Sequence, residues 1–273
     1  MSFTLFYYIW CLMKHLPNLL TLANLFCGCS AIAFILNAQP FYIAQGGISL
    51  PVWGVEQLYW GSLLIGIAAI CDILDGFVAR SLQLFSPIGK DLDSLADLVS
   101  FGVAPAMILF KLLWAAEMKE PGALNASMLT TAPAFLLACF GALRLARFNV
   151  SAPQKGGFTG MPIPAAGIFV ASFPLLLWYN PYGIGEFLYN KWVIYLIIAL
   201  LSWLMVSKIR FIKLMPAKWD MAHTWPQLIL IVATVALFFA VKSAAIPFAF
   251  ILYILLSLFY KQPVEKTTAE ASL

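Results

Sequence analysis

Apolar residues run along this chain in long blocks separated by short polar stretches. A helix that crosses a bilayer needs about 20 consecutive apolar residues, with a range of about 17–25. By that measure eight blocks read as spans: about Leu16–Leu36, Leu58–Ala79, Lys90–Trp114, Leu129–Phe148, Ile163–Trp178, Lys191–Val206, Pro226–Val241 and Ala244–Tyr260. Ser86-Pro87-Ile88-Gly89 reads as the turn between the second and third, and Lys242-Ser243 as a tight turn between the last two. The stretch 37–57, rich in Gly, Pro and aromatics and without Lys or Arg, reads as a linker. Pro17 suits the first turn of a helix. Residues 1–15 have no positive region ahead of their apolar run and no small-residue cleavage site, so they read as an interfacial helix rather than a removable signal. The polar residues 261–273 read as a disordered cytoplasmic tail. The predicted fold is therefore all-α integral membrane: a polytopic bundle of about eight transmembrane helices with an N-terminal interfacial helix. Residues 1–260 form one membrane-embedded domain.

Composition agrees with that pattern. The chain is 63% hydrophobic and 10% charged, where soluble domains carry about 25% charged residues. That excludes a soluble protein, and no nucleic-acid partner is expected. With the N-terminus in the cytoplasm, 12 of the 16 Lys and Arg residues fall on the cytoplasmic side, leaving Lys111, Lys119, Lys191 and Lys242 outside. Lys208, Arg210, Lys213 and Lys218 then read as contacts for anionic lipid. The five cysteines sit in apolar contexts without a CxxC pair and read as small buried hydrophobes. His15 and His223 read as interfacial.

One stretch departs from the apolar pattern. Asp72, Asp75, Asp91, Asp93 and Asp97 place five of the 12 acidic residues within 26 positions. Carboxylates in apolar surroundings are costly unless something binds them. Asp72 and Asp75 are three apart and share a helix face, which Gly76 and Ala79 continue; Arg80 lies one turn beyond Gly76. Gly89, Asp93 and Asp97 are spaced by four and form another stripe. A hairpin folded between the two helices brings Asp72/Asp75 opposite Asp93/Asp97 near the cytoplasmic boundary. Asp91 lies off both stripes and reads as a solvated helix-start residue. Oxygen-only ligands favour hard divalent cations, and two such ions can activate an attacking oxygen and stabilise a phosphate. Arg80 offers a guanidinium for a phosphate. On spacing alone, ion-coupled transport through the Asp pairs and close packing of small residues are equally open.

The pattern Asp72-x2-Asp75-Gly76-x2-Ala79-Arg80-x8-Gly89-x3-Asp93-x3-Asp97 resembles the full signature of the CDP-alcohol phosphotransferase family, all eight fixed residues being present. The runs Pro17-Asn18-Leu19-Leu20-Thr21, Ser100-Phe101-Gly102-Val103-Ala104-Pro105, Arg144-Leu145-Ala146-Arg147-Phe148-Asn149 and Gly160-Met161-Pro162-Ile163-Pro164 are similar to that family's serine-accepting branch. The last hundred residues match it only as hydrophobic spans. The resemblance implies a membrane enzyme that transfers the phosphatidyl group of CDP-diacylglycerol to L-serine and releases CMP. Other family acceptors, glycerol 3-phosphate or inositol, remain alternatives. It further implies two divalent cations, Mg²⁺ or Mn²⁺, held by Asp72, Asp75 and Asp93 with Asp97 bridging to them and acting as general base. Gly76, Ala79 and Arg80, with Asn18 and Thr21, would lie along the CDP moiety. Ser100, Arg144, Arg147 and Asn149 would contact serine or the donor phosphate, although the two arginines also suit positive-inside anchoring. A homodimer in the cell's inner membrane, with its active site facing the cytoplasm, completes the expectation.

Overall fold

The computed structural model describes residues 2–45, 48–84, 86–119, 127–150, 158–212 and 221–260. The tail 261–273 and the basic positions Lys155, Lys213 and Lys218 lie outside the described residues. Helix α1 spans Ser2–Leu36 without a break, and its candidate crossing is His15–Leu36. Pro17 does not open this helix but lies inside it. Long apolar helices in lipid tolerate the bond that proline cannot make.

The expected linker is instead a β-hairpin. Strands β1 (Pro40–Gln45) and β2 (Ile48–Trp53) pair antiparallel, from Pro40 opposite Trp53 to Gln45 opposite Ile48. The pairing gives partners to backbone groups that an open loop would leave to solvent. Helix α2 (Val55–Ser81) then returns along α1. At Gly61 a Cβ would lie 2.6 Å from Ile35 Cγ1, so this glycine sets how closely the two helices approach.

The turn after α2 comes earlier than the sequence suggested. It occupies Leu82 and Gln83, the latter with φ 54°. Ser86 and Pro87 do not form it: Ser86 caps helix α3 (Pro87–Asp97), accepting from the Gly89 N–H at 2.9 Å, and Pro87 opens the first turn. Serine at the cap and proline at the first helical position are both favoured there.

A six-residue π-helical segment, Leu98–Val103, separates α3 from α4 (Ala104–Glu117), and the Ala104 N–H reaches back to the Val99 carbonyl. Pro105 cannot donate to the Phe101 carbonyl, which removes an α-helical bond just where the wider turn ends. Together these pieces form a run from Pro87 to Glu117 whose 18-residue apolar stretch is 72% buried, against 28% or less for the corresponding stretches of the other four long runs. It is the central post of the bundle. At Gly167 a Cβ would lie 2.8 Å from Phe101 Cα, so α7 (Ile163–Tyr179) crosses the π segment at backbone contact.

Around this post stand α5 (Met128–Thr131), which continues through a 3₁₀ turn into α6 (Leu136–Val150), and α8 (Lys191–Val206). The short strands β3 (Phe158–Thr159) and β4 (Arg210–Phe211) pair beside the ends of α6 and α8. Helix α9 (Met221–Val241) leads through a 3₁₀ turn at Lys242, φ 49°, into α10 (Ala245–Phe259). The two double back, since the rings of Trp225 and Tyr260 stand 5.2 Å apart. Among the described residues five helical runs are long and apolar enough to cross a membrane, or six with the bent pair Gly183–Tyr189 and Lys191–Val206; Ile163–Tyr179 is shorter. The chain is thus an all-α polytopic membrane protein.

Lys111 departs from its expected place on the outer surface. It is 4% exposed, and its ammonium donates to the carbonyls of Leu36 at 3.0 Å and Ala38 at 2.9 Å. It thereby satisfies carbonyls that the end of α1 leaves without helical partners and pins that end to the central post. Lys111→Met would leave these acceptors unpaired at a cost of about 1–3 kcal/mol. The expected outcome is a lower midpoint of thermal unfolding in detergent; an unchanged midpoint would remove the pin from the account of stability.

Candidate active site

Three helices build the site. From α2, Asp72 and Asp75 meet Asp93 of α3, and one carboxylate oxygen of each lies within 4.8 Å of the others. Asp97, one turn further along α3, is buried and within hydrogen-bonding reach of Asp72. Asp91 is exposed, apart from the cluster. The facing stripes expected of the hairpin are therefore the arrangement found.

Helix α1 supplies the polar partners. The Thr21 hydroxyl is 2.7 Å from the Asp75 carboxylate, to which it can donate. The Asn24 side-chain amide donates to Asp97 at 3.3 Å, and the Asn24 backbone carbonyl accepts from Ser100 at 3.0 Å. Gly28 lies against Ser100 so closely that a Cβ would stand 2.8 Å from the Ser100 Cα. Thr21, Asn24 and Gly28 thus form one face of α1, pressed against α2, α3 and the π segment. Asn24, wholly buried, is the residue that sequence reasoning missed. Its signal was present: polar or small residues at 21, 24 and 28 repeat with helical spacing inside an apolar span.

The donor set suits a hard cation. It is oxygen only, it joins like charges, and Asp93 Oδ1 is buried with no hydrogen-bond partner among the described residues. Carboxylates this close repel unless a cation or protons intervene. The Asp72/Asp75/Asp93 cluster could therefore hold a metal ion.

The other expected site residues fall into separate groups. Arg80 is exposed and its guanidinium lies over Gly76, where a Cβ would stand 3.4 Å from Nη1. Gly76 and Ala79 are half-buried beside it. Asn18 abuts α3, since a Cβ on Gly89 would lie 3.1 Å from Asn18 Oδ1. This contact gives a packing reason for the glycine. Ser100 is spent on Asn24. Arg144 is buried on α6, near enough to Asp97 for their charges to interact, whereas Arg147 is exposed and lines a separate cavity with it. Asn149 holds helices together: its amide donates to Ser94 at 2.8 Å, and its carbonyl accepts from Lys90 at 3.0 Å.

Comparison with known proteins agrees with the signature. Residues 14–203 match the family described as CDP-alcohol phosphatidyltransferase. The CDP-diacylglycerol–serine O-phosphatidyltransferase of Bacillus subtilis is 31% identical over 205 residues, covering 73% of this chain and 90% of that one. The protein of the same description from Helicobacter pylori is 34% identical over 207 residues, covering 75% of each chain. The archaetidylserine synthase of Methanothermobacter thermautotrophicus is 34% identical over 148 residues, covering 54% and 57%. The chain belongs to the CDP-alcohol phosphatidyltransferase family.

Asn24→Leu removes a hydrogen bond to a carboxylate, an interaction of about 1.5–3 kcal/mol. Turnover is expected to fall roughly 10- to 100-fold, with the protein still folded by thermal unfolding. Turnover at the unmodified rate would show that Asp97 needs no orientation from α1.

Proposed function

We propose that this family member transfers the phosphatidyl group of CDP-diacylglycerol to L-serine, giving phosphatidylserine and CMP. The observation that carries the reading is the convergence of Asp72, Asp75 and Asp93 beside an Asp97 that Asn24 holds in place. Serine as the acceptor is supported by the activities for which the Bacillus and Helicobacter relatives are named. The reaction is assigned to the cytoplasmic face of the cell's inner membrane, in a bundle of eight crossings that associates as a homodimer.

Asp97 serves as general base. It lies next to Asp72 at the edge of the three-carboxylate cluster, and the Asn24 amide fixes its orientation. A carboxylate within hydrogen-bond reach of an alcohol can take its proton as attack proceeds. The serine oxygen then forms a bond to the lipid-bearing phosphorus, the bond from that phosphorus to the CMP oxygen breaks, and CMP leaves with the electron pair. Asp72, Asp75 and Asp93, with Asp97 beside them, would hold two divalent cations, Mg²⁺ or Mn²⁺. When bound, these supply positive charge to the diphosphate.

Asn18, Thr21, Gly76, Ala79 and Arg80 are assigned to the CDP moiety. The small side chains at 76 and 79 leave room along α2, and the Arg80 guanidinium suits a phosphate. Arg144, with Arg147 further out, is assigned to the serine carboxylate or the donor phosphate, while Ser100 and Asn149, whose donors are taken up by Asn24 and Ser94, are assigned to holding that wall in place. Of these, Arg144 has the strongest support, because it is buried and near enough to Asp97 for their charges to interact.

The test is release of CMP by purified protein given CDP-diacylglycerol and labelled L-serine, with glycerol 3-phosphate and inositol as competing acceptors. Labelled phosphatidylserine is expected from serine alone; use of another acceptor in its place would overturn the branch assignment. Asp97→Asn is expected to abolish turnover while donor binding is largely kept, and near-normal activity would remove Asp97 from the base role. Chelation of divalent ions is expected to stop the reaction, with recovery on adding Mg²⁺ or Mn²⁺. Full activity after chelation would sink the metal assignment.

A further inference from the structure

Helix α10 lies beyond residue 203, where the family match ends, and contributes none of the clustered carboxylates. It meets the short ribbon of β3 and β4 at one residue. The Tyr253 hydroxyl donates to the Ile212 carbonyl at 3.1 Å, and the Ile212 N–H donates to the Ser257 hydroxyl at 3.3 Å. Tyr253 and Ser257 are one helical turn apart and within hydrogen-bonding reach of each other. The three residues thus close a circuit of hydrogen bonds, and all three are buried. The Tyr253 ring also packs on Phe211, with centroids 5.7 Å apart. Helix α10 does not depend on this circuit for its seat, because Phe250 stacks on Phe169 of α7 at 4.1 Å.

The ribbon and the end of α8 form one wall of the cavity at Arg144 and Arg147. Thr159, Met205, Val206 and Ser207 line it with the two arginines and Phe148 of α6. That wall is held as one piece. Thr159 stands opposite Arg210, the Gly160 N–H donates to the Ile209 carbonyl at 2.9 Å, and the Met161 N–H donates to the Leu204 carbonyl at 3.1 Å. Gly160 takes φ 78°, and a Cβ there would collide with the Met205 carbonyl, so the wall closes at backbone contact. Ile212 follows β4 directly, so the point at which α10 fixes it sets where the wall stands relative to α6. Tyr253 also lies close enough to Arg144 to interact with it electrostatically. The cavity measures about 150 Å³, below the about 300–1,000 Å³ of sites that enclose drug-sized molecules. It suits a small acceptor better than a cytidine diphosphate.

We propose that Tyr253 and Ser257 are positioning residues for the acceptor: by fixing Ile212 they hold the ribbon wall at the distance from Arg144 and Arg147 that a small alcohol bearing a carboxylate requires. The proposal rests on the assignment of Arg144 to the acceptor rather than to the donor phosphate. Both backbone groups of Ile212 are engaged from one helix, and hydrogen bonds fix direction as well as distance. Neither side chain reaches the reacting atoms, since each is spent on Ile212. Their effect passes through the backbone of residues 204–212. Helix α10 therefore acts on the affinity for the alcohol and not on the chemical step.

The experiment measures kcat and KM on the purified full chain in detergent micelles, varying the acceptor alcohol and CDP-diacylglycerol in turn. Tyr253→Phe and Ser257→Ala each remove one hydrogen bond to Ile212, whereas Ser257→Thr keeps the hydroxyl. The first two are expected to raise KM for the acceptor roughly 3- to 10-fold. Their kcat and their KM for CDP-diacylglycerol are expected to stay within about twofold of the unmodified chain. Ser257→Thr is expected to restore the unmodified acceptor KM. A merely structural role would instead lower kcat by reducing the active fraction and leave both KM values alone. That result overturns the proposal, as does an equal rise in KM for both substrates, or Ser257→Thr behaving as Ser257→Ala. If one of the two sites does not tolerate its variant, the other decides by the same split. The alcohol used is identified first on the unmodified chain. If it is not serine, the assignment of serine falls, and the split is read with the alcohol that is used, so the two failures are told apart.

Discussion

Carboxylates held together inside a membrane bundle are the constraint on which the rest of this structure depends. Like charges that have left water repel, and each needs hydrogen-bond donors or a cation. The protein meets that need from two directions. Helix α1 brings Thr21 to Asp75 and Asn24 to Asp97, and the oxygen-only set of Asp72, Asp75 and Asp93 is matched to a hard ion. Both solutions require three helices to meet at close range. The glycines at 28 and 61 permit this, because a side chain at either would strike the neighbouring helix, and Gly89 leaves room for Asn18 of α1.

The bundle is organised to keep that meeting point rigid. The buried run from Pro87 to Glu117 carries Asp93 and Asp97 at one end and Lys111 toward the other. Lys111 fastens the end of α1, while Ser100 fastens its middle, so α1 is fixed at two heights on the same post. The π segment between these points places Ser100 against Asn24 and lets α7 touch the Phe101 backbone. A wide turn at that place is consistent with the tendency of π segments to occur at functional sites.

Much of the site was legible in the sequence because helical spacing converts directly into faces. Asp72 and Asp75 at three apart, and Asp93 and Asp97 at four, could meet only if a hairpin joined them, and Arg80, Gly76 and Ala79 followed by the same rule. The position of the turn was less legible. Serine and proline at 86 and 87 suit both a turn and the start of a helix, and the choice fell to the Gly89 N–H that Ser86 accepts. Asn24 was hidden for a related reason: an asparagine in an apolar span gives no sign of which partner it takes, and this one's lies 73 positions away.

By itself the sequence determined that the chain lives in a membrane, that its helices are long and apolar, and that carboxylates converge beside small residues and an arginine. It did so because hydropathy and helical period are local properties, carried by neighbours along the chain. Only the tertiary structure decided which partner each polar group takes. Asn24 on Asp97, Lys111 on the end of α1 and Asn149 on Ser94 all join residues from different helices. Such pairings depend on how helices pack against one another, and packing is set by shape and burial across the bundle, which no single stretch of sequence contains.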